Sequence, residues 1–245
     1  MPKPLTGVVD AFWSFEGEGQ QHRILPDGCL DFIFELNAGG AMVVGAMSVA
    51  QVIPIPVGSR AFGVRFRPGQ AARFLDAAPG ELLDSEATLA DLSRLRGLAA
   101  SIAEAPDHST RIALATRALL GGSARTRAAD TRVERALDAI RDAPSSLSVA
   151  ALAASVDLSE RQFERRFEES VGIGPKRFMR ITRLQHALRI AHNTRYSQAQ
   201  VAAQAGYSDE AHLLRECRAL AGLTLKALGR ERDVGFVQGP ELVLG

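Results

Sequence analysis

The stretch LSERQFERRFEES, residues 158 to 170, holds four glutamates and three arginines in thirteen positions, with Phe163 and Phe167 one helical turn apart. At about 100° per residue the two phenylalanines define a face to be buried. The opposite side carries Arg161, Arg165 and Glu168, flanked by Gln162 and Glu164. Those residue types can read base edges: arginine suits guanine O6 and N7, glutamine pairs with adenine, and glutamate accepts from cytosine N4. The same charges also stand at three and four spacing, Arg161 with Glu164 and Arg165 with Glu168 or Glu169. A solvated helix would gain a few tenths of a kcal/mol from each such pair. Against that plain alternative, Glu160, Glu164 and Glu168, like Arg161 and Arg165, set like charges four apart, a local cost with no structural return.

Other chemistry finds little support. No Ser/His/Asp set, paired carboxylates or phosphate loop is present, and GEGQ at Gly17 lacks the strand and lysine of a nucleotide loop. The five histidines are scattered and the two cysteines, Cys29 and Cys217, lie far apart without metal spacing. No catalytic residue, metal site or cofactor is expected.

The elements around the charged stretch give it a place. Ser148 is the N-cap expected for VAALAAS, VDL is a three-residue break, and Ser159 caps the charged helix with Gln162 in capping-box position. Helix, tight turn, helix is the predicted unit, and the second helix of such a unit is the one that enters a DNA major groove. Upstream, TRVERALDAIRDA sets Val133, Leu137 and Ile140 on one stripe and Pro144 stops it. Downstream, Pro175 opens a long helix with Phe178, Ile181, Leu184, Leu188 and Ala191 as its apolar stripe. Lys176, Arg177, Arg180 and Arg183 form the basic remainder.

Sliding the chain by fifty residues aligns 149–178 with 199–228 without a gap. Identities fall at Ala153/Ala203, Glu160/Glu210, Arg165/Arg215, Gly172/Gly222 and Lys176/Lys226, and the N-caps Ser159 and Asp209 coincide. The pattern predicts a duplicated helix-turn-helix. Charge agrees with this: residues 1–124 hold 10 basic and 13 acidic residues (−3), residues 125–232 hold 19 and 13 (+6), and residues 233–245 hold none and 2 (−2), summing to the net +1. A basic surplus confined to one region is the footprint of a polyanion-binding domain.

Residues from about 131 to 230 resemble the DNA-binding domain of the AraC family of bacterial transcription regulators, two helix-turn-helix motifs joined by a long helix. The resemblance rests on LSERQFERRFEESVGIGPKRFMRITRLQHAL and QVAAQAGYSDEAHLLR. It implies base contacts from Arg161, Gln162, Glu164 and Arg165 in the first head and from Glu210, Ala211, Leu214 and Arg215 in the second. Ser148, Ser159 and Asp209 are expected as caps at the DNA, and Lys176, Arg177 and Arg183 as phosphate contacts or supports of the linking helix. In the second head Leu213, Cys217 and Leu225 replace two phenylalanines and a proline, and Ala211 and Leu214 are apolar at groove positions, so the first head should carry more specificity.

The N-terminal half reads as short strands, VVDAFWSFE, DFIFEL, AMVVGAM, AQVIPIPV and AFGVRFR, between PDG, NAGG and VGSR turns. About five or six antiparallel strands, as a small sheet or partial barrel, are expected, and in GVRFRPG the alternation of Val64 and Phe66 with Arg65 and Arg67 predicts a half-buried strand. From Gln70 onward QAARFLDA, LADLSRLRGLAASIAEA and TRIALATRALL read as helices. HRILPDGCLDFIFEL and FGVRFRPGQAARFL are similar to a sensor-like domain of unassigned function found in front of this DNA-binding domain. Trp13 and Cys29 are weak candidates for an effector site, weighed against ordinary core roles.

The expected organisation is an α+β sensor or regulatory domain at 1–122, a linker at 123–130, an all-α DNA-binding domain at 131–232 and a tail at 233–245. Within it the first helix-turn-helix falls at about 148–170, the linking helix at about 175–192 and the second helix-turn-helix at about 198–220. The N-terminus lacks a signal-peptide pattern and no apolar run approaches the ~18 residues of a membrane span, so the cytoplasm is the expected compartment. The leading expectation is a transcription regulator that binds promoter DNA and works with RNA polymerase, with a small-molecule effector or homodimer formation assigned to the first domain. Two alternatives are an N-terminal enzyme addressed to DNA and a protein-interaction module that has lost DNA binding.

Overall fold

The computed structural model describes residues 5–89, 95, 97–122, 129–230 and 234–235. Its first part is an antiparallel five-stranded sheet in the order β1-β6-β3-β4-β7, formed by β1 (Val9–Glu16), β3 (Leu30–Glu35), β4 (Ala41–Val44), β6 (Arg60–Phe66) and β7 (Glu86–Thr88). A smaller sheet pairs β5 (Gln51–Pro54) with β2 (Gln21–Ile24), and β2 in parallel with β8 (Val234–Gly235). The sheet core is aromatic: Phe32 meets Phe66 edge-on at 4.6 Å, Phe12 stacks on Phe62, and Phe66 lies 5.3 Å from Phe74.

Three expectations for this half need correction. The polar strand β2 and the three-residue β7 carry too little β-branched or aromatic character to stand out in sequence. QAARFLDA is not a helix but a single 3-10 turn, Ala71–Phe74. It ends at Leu75, whose backbone is extended, and Phe74 is buried against Phe66 of the sheet. Arg65 does not face solvent: it is 3% exposed, and its guanidinium binds Asp31 through Nε (3.1 Å) and Nη2 (2.8 Å) and Asp27 through Nη1. Burial works against this cation, but the two carboxylates outweigh it and raise its pKa, while burial pushes the Asp27 carboxyl up against the pull of Arg65.

Of the expected helices, α1 (Leu98–Glu104) and α2 (His108–Gly122) are described, and most of LADLSRLR falls outside the described residues. So does the expected linker apart from Ala129 and Asp130, and the tail apart from β8. The helical part then runs α3 (Thr131–Asp142), α4 (Val149–Ser155), α5 (Glu160–Val171), α6 (Pro175–Asn193), α7 (Gln198–Gln204), α8 (Glu210–Ala221) and α9 (Leu225–Leu228). Each has a sequence reason: Pro175 occupies the first turn of α6, and α5 and α8 end on left-handed Gly172 and Gly222. No helix of the described residues is long and apolar enough to cross a membrane.

The two parts pack on one another. The PDGC loop meets α6: Gly28 has φ +76, a Cβ there would lie 2.4 Å from the Phe178 ring, and Gln185 Nε2 donates to the Pro26 carbonyl at 2.7 Å in the interior. Gln70 donates to Glu134 of α3 at 2.7 Å, and Gly172 sits against the Pro79 backbone. Ala50 N–H donates to the Leu220 carbonyl at 2.7 Å and Arg23 to the Ala221 carbonyl at 3.3 Å, so the first part holds the C-terminal end of α8.

Replacing Arg65 with alanine strands Asp27 and Asp31 in the interior and should cost about 3–5 kcal/mol. Urea titration at neutral pH reads this directly. A loss below about 1 kcal/mol would mean that the carboxylates take up protons and that the ion triad contributes little.

Candidate nucleic-acid interface

In α5, Phe163, Phe167 and Val171 are buried and Arg161, Gln162, Glu164, Arg165 and Glu168 are exposed. Phe167 lies between Phe163 (5.6 Å) and Phe178 of α6 (5.5 Å), which fixes the rotation of the helix and therefore which residues face outward. The Ser159 hydroxyl accepts from the Gln162 amide, and the Gln162 side chain returns to Ser159 N at 3.1 Å. The Gln162 amide oxygen is therefore occupied at the cap, where it also accepts from the Ser159 hydroxyl at 3.0 Å. Arg165 bonds Glu169 at 3.1 Å while 65% exposed. An exposed i,i+4 pair is worth only about 0.3–0.5 kcal/mol, less than the ~1–3 kcal/mol of a bidentate base contact, so it does not hold Arg165 back.

The second head repeats the frame with different contents. In α8, Leu213, Cys217, Leu220 and Ala221 are buried, Glu210, Ala211 and Arg215 are exposed, and Leu214 is half-buried. Asp209 caps it through the His212 amide at 2.6 Å, an interaction that holds its carboxyl below the usual carboxylate range. Cys217, at the position of Phe167, is a buried thiol pushed up to about 11, mainly by burial.

The gapless fifty-residue alignment holds for α5 and α8 but not for the helices before them. Ser148 caps α4 and Ser197 caps α7, forty-nine residues apart, and the buried pairs are Leu152/Val201 and Ala153/Ala202 rather than Ala153/Ala203. The turns match at the same offset, with positive φ at Asp157 (+55) and Gly206 (+74) and with Leu158 N and Tyr207 N bonding the equivalent carbonyls. The extra residue of the second turn is Ser208, whose hydroxyl bridges Asp209 and His212. A one-residue insertion inside a tight turn is invisible to an alignment scored on a few identities.

α5 and α8 are each also braced by an ion pair from the same position, with opposite sign. Arg166 of α5 bonds Asp130, the N-cap of α3, at 2.8 Å; Glu216 of α8 takes a two-pronged bond from Arg180 of α6, both at 2.9 Å. Sequence reasoning singled out neither Arg166 nor Glu216, although their fifty-residue offset was open to notice. Lys176 and Arg177 are exposed at the start of α6, in a groove shared with Glu164 and Glu168. Arg183 instead lies over the Tyr207 ring at 5.8 Å with its Nε buried.

The weak effector candidates land differently. Trp13 lies across Gly63, stacks with Phe15 and donates to Asp31 at 3.0 Å, a structural role. Cys29 is buried at the wall of a cleft between the two parts, and its thiol is pushed well up by burial and by Asp27. Among the described residues no group of His, Cys, Asp and Glu could hold a metal ion.

Residues 152–231 match the family described as a helix-turn-helix domain, and residues 2–88 match a domain of unknown function (DUF6597). No curated protein matches the sequence. Among solved structures, the chain is similar to a transcriptional regulator with an AraC-type DNA-binding domain from Chromobacterium violaceum (24% identity, 40% of this chain and 88% of that chain, TM-score 0.38). It is similar to the DNA-binding domain of AdpA, a global transcriptional factor, in complex with a target DNA (24%, 44% and 98%, TM-score 0.39). ToxT from Vibrio cholerae is similar over a longer span (7%, 91% and 98%, TM-score 0.49).

Two outcomes follow from the caps. Ser159→Ala should lower stability by about 1 kcal/mol in thermal or urea unfolding, and an unchanged midpoint would mean that water satisfies the helix start equally well. At Asp130, burial works upward on the carboxyl, but the Arg166 hydrogen bond and the Arg132 and Val133 amides win and hold it down. A depressed carboxyl contributes fully above its unfolded value of about 3.9 and loses that contribution as pH falls through the folded value. The stability gap between the wild type and Asp130→Asn should therefore be widest near neutral pH and close in acid; a pH-independent gap would contradict the assignment.

Proposed function

From a chain whose residues 152–231 are an AraC-type helix-turn-helix domain, we infer a transcription regulator that binds double-stranded promoter DNA in a sequence-specific way. The observation that carries this is the shared burial pattern of two duplicated units: α5 and α8 bury matching faces and leave Arg161, Arg165 and Arg215 exposed. The contacts from the first part touch the C-terminal ends of these helices, at Gly172, Leu220 and Ala221, and leave their N-terminal halves uncovered. Those are the ends a helix-turn-helix presents to base edges.

In this proposal α5 is the dominant reader, with Arg161 and Arg165 as its guanine-directed groups and Glu164 and Gln162 beside them. The second head contributes Glu210 and Arg215, with Ala211 and Leu214 suited to thymine methyl groups. Lys176 and Arg177 contact phosphate, while Ser148, Ser159 and Asp209 set the helix starts at the backbone. The first part senses an effector or mediates self-association, and the protein acts in the cytoplasm with RNA polymerase as its partner.

Selection from randomised DNA, followed by binding titrations on the selected site, tests this. Arg165→Ala should cost about 1–3 kcal/mol on that site and relax preference at one position. Lys176→Ala should weaken all sequences alike and reduce the salt slope by about 1. If Arg165→Ala weakens random and selected DNA equally, α5 does not read bases. If no sequence is enriched, the proposed regulator is wrong.

A further inference from the structure

The two heads are docked on the linking helix α6 by different chemistry. Phe178 and Arg180 stand two positions apart on α6, about 200° around the helix, so they serve different neighbours. The Phe178 ring meets Phe167 of α5 edge-on at 5.5 Å, which gives the first head an aromatic anchor. The second head has Cys217 in the place of Phe167, a smaller side chain with less surface to offer. Beside it Glu216, with a side chain only 16% exposed, takes both prongs of the Arg180 guanidinium at 2.9 Å. A fork matched to a carboxylate fixes direction as well as distance, which a point charge does not.

Beyond its apolar core, α8 is tied at one other place. Its C-terminal end is bonded by Ala50 and Arg23 of the first part, at Leu220 and Ala221, one helical turn past Glu216. Glu210, at the opposite end, lies six residues before Glu216, about 9 Å along the axis. With the Arg180 tie cut, α8 keeps its end fastening, and the turn that carries Glu210 and Ala211 has the longest lever. The corresponding pair of the first head runs elsewhere: Arg166 bonds Asp130 at the start of α3, which packs on α4 and α5. That pair holds α5 within its own head and does not set the distance between heads.

We propose that the Arg180–Glu216 fork sets the spacing of the DNA half-sites that the two heads accept, with both residues acting as positioning residues that touch no base. The proposal rests on the sequence-specific reading given above and adds what fixes the distance between its two contacts. One inserted base pair moves the second half-site by about 3.4 Å and turns it by about 35°, so heads held rigidly reject it.

The test uses the full chain and the site selected from randomised DNA, with and without one base pair inserted between its two enriched segments. The quantity read is the ratio of the two affinities, which a loss of folded protein leaves unchanged. Wild type should lose at least about tenfold on the insertion. Arg180→Met should weaken the unaltered site and bring the ratio down to about threefold or less. Arg180→Lys, which keeps the charge without the fork, and Glu216→Gln should lower the ratio as well. Asp130→Asn should leave it at the wild-type value. An unchanged ratio in Arg180→Met or in Glu216→Gln would overturn the proposal, and if Arg180→Met does not fold, Glu216→Gln decides alone. A wild-type ratio in Arg180→Lys, an equal fall in Asp130→Asn, or a salt slope reduced by about 1 in Arg180→Met, the mark of a phosphate contact, would each overturn it too. A single enriched segment, or a wild type indifferent to the insertion, refutes the spacing role and leaves the regulator in place; the absence of any enriched sequence removes both.

Discussion

The guanidinium of Arg65 lies inside the sheet, where an unpaired charge could not persist, and the two carboxylates that it holds fix much else. Asp31 also receives the Trp13 indole, which ties β1 to β3 across β6. Asp27 accepts the Cys29 amide at 2.9 Å and so sets the curvature of the PDGC loop. That loop offers Gly28 to the Phe178 ring and the Pro26 carbonyl to Gln185. Since Phe178 also packs on Phe167, a chain of direct contacts runs from a buried ion triad in the sheet to the rotation of α5.

This arrangement explains why α6 carries so many buried residues for a helix with a basic face. Phe178, Ile181, Leu184 and Leu188 serve the stripe read from sequence, but Met179, Gln185 and Ala187 are buried as well. A helix covered on more than one side loses the simple amphipathic pattern, and the arginines that remain are put to local use. Arg180 braces α8 and Arg183 covers Tyr207, so a basic helix contributes fewer free cations to a polyanion than its composition suggests.

Much of the helical half was legible in sequence because its rules are local. Ser148, Ser159, Asp209 and Pro175 mark helix starts by chemistry that acts within three or four residues, and all four begin helices as expected. The outward placement of Arg161 and Arg165 followed from the spacing of Phe163 and Phe167. What escaped was non-local. The burial of Arg65 depends on Asp27 and Asp31, over thirty positions away, and alternation along one strand cannot show that a charged face is covered. The braces Arg166–Asp130 and Arg180–Glu216 each span thirty-six residues, and β2 gains its strand character from partners rather than from its own side chains.

The bond from Ala50 N–H to the Leu220 carbonyl, with Arg23 on Ala221, gives α8 a C-terminal end completed by another part of the chain. Backbone groups at a helix end that are met from outside the helix fray when their partner withdraws. The second head is thus joined to the first part and should belong to the same cooperative opening unit, with the Ala50 amide exchanging hydrogen at the rate of the joint. The first head meets the same part at Gly172 and, through Phe167 and Phe178, at the PDGC loop, so loosening of the joint would reach both heads: at the second it frees helix-end carbonyls, at the first it releases an aromatic contact.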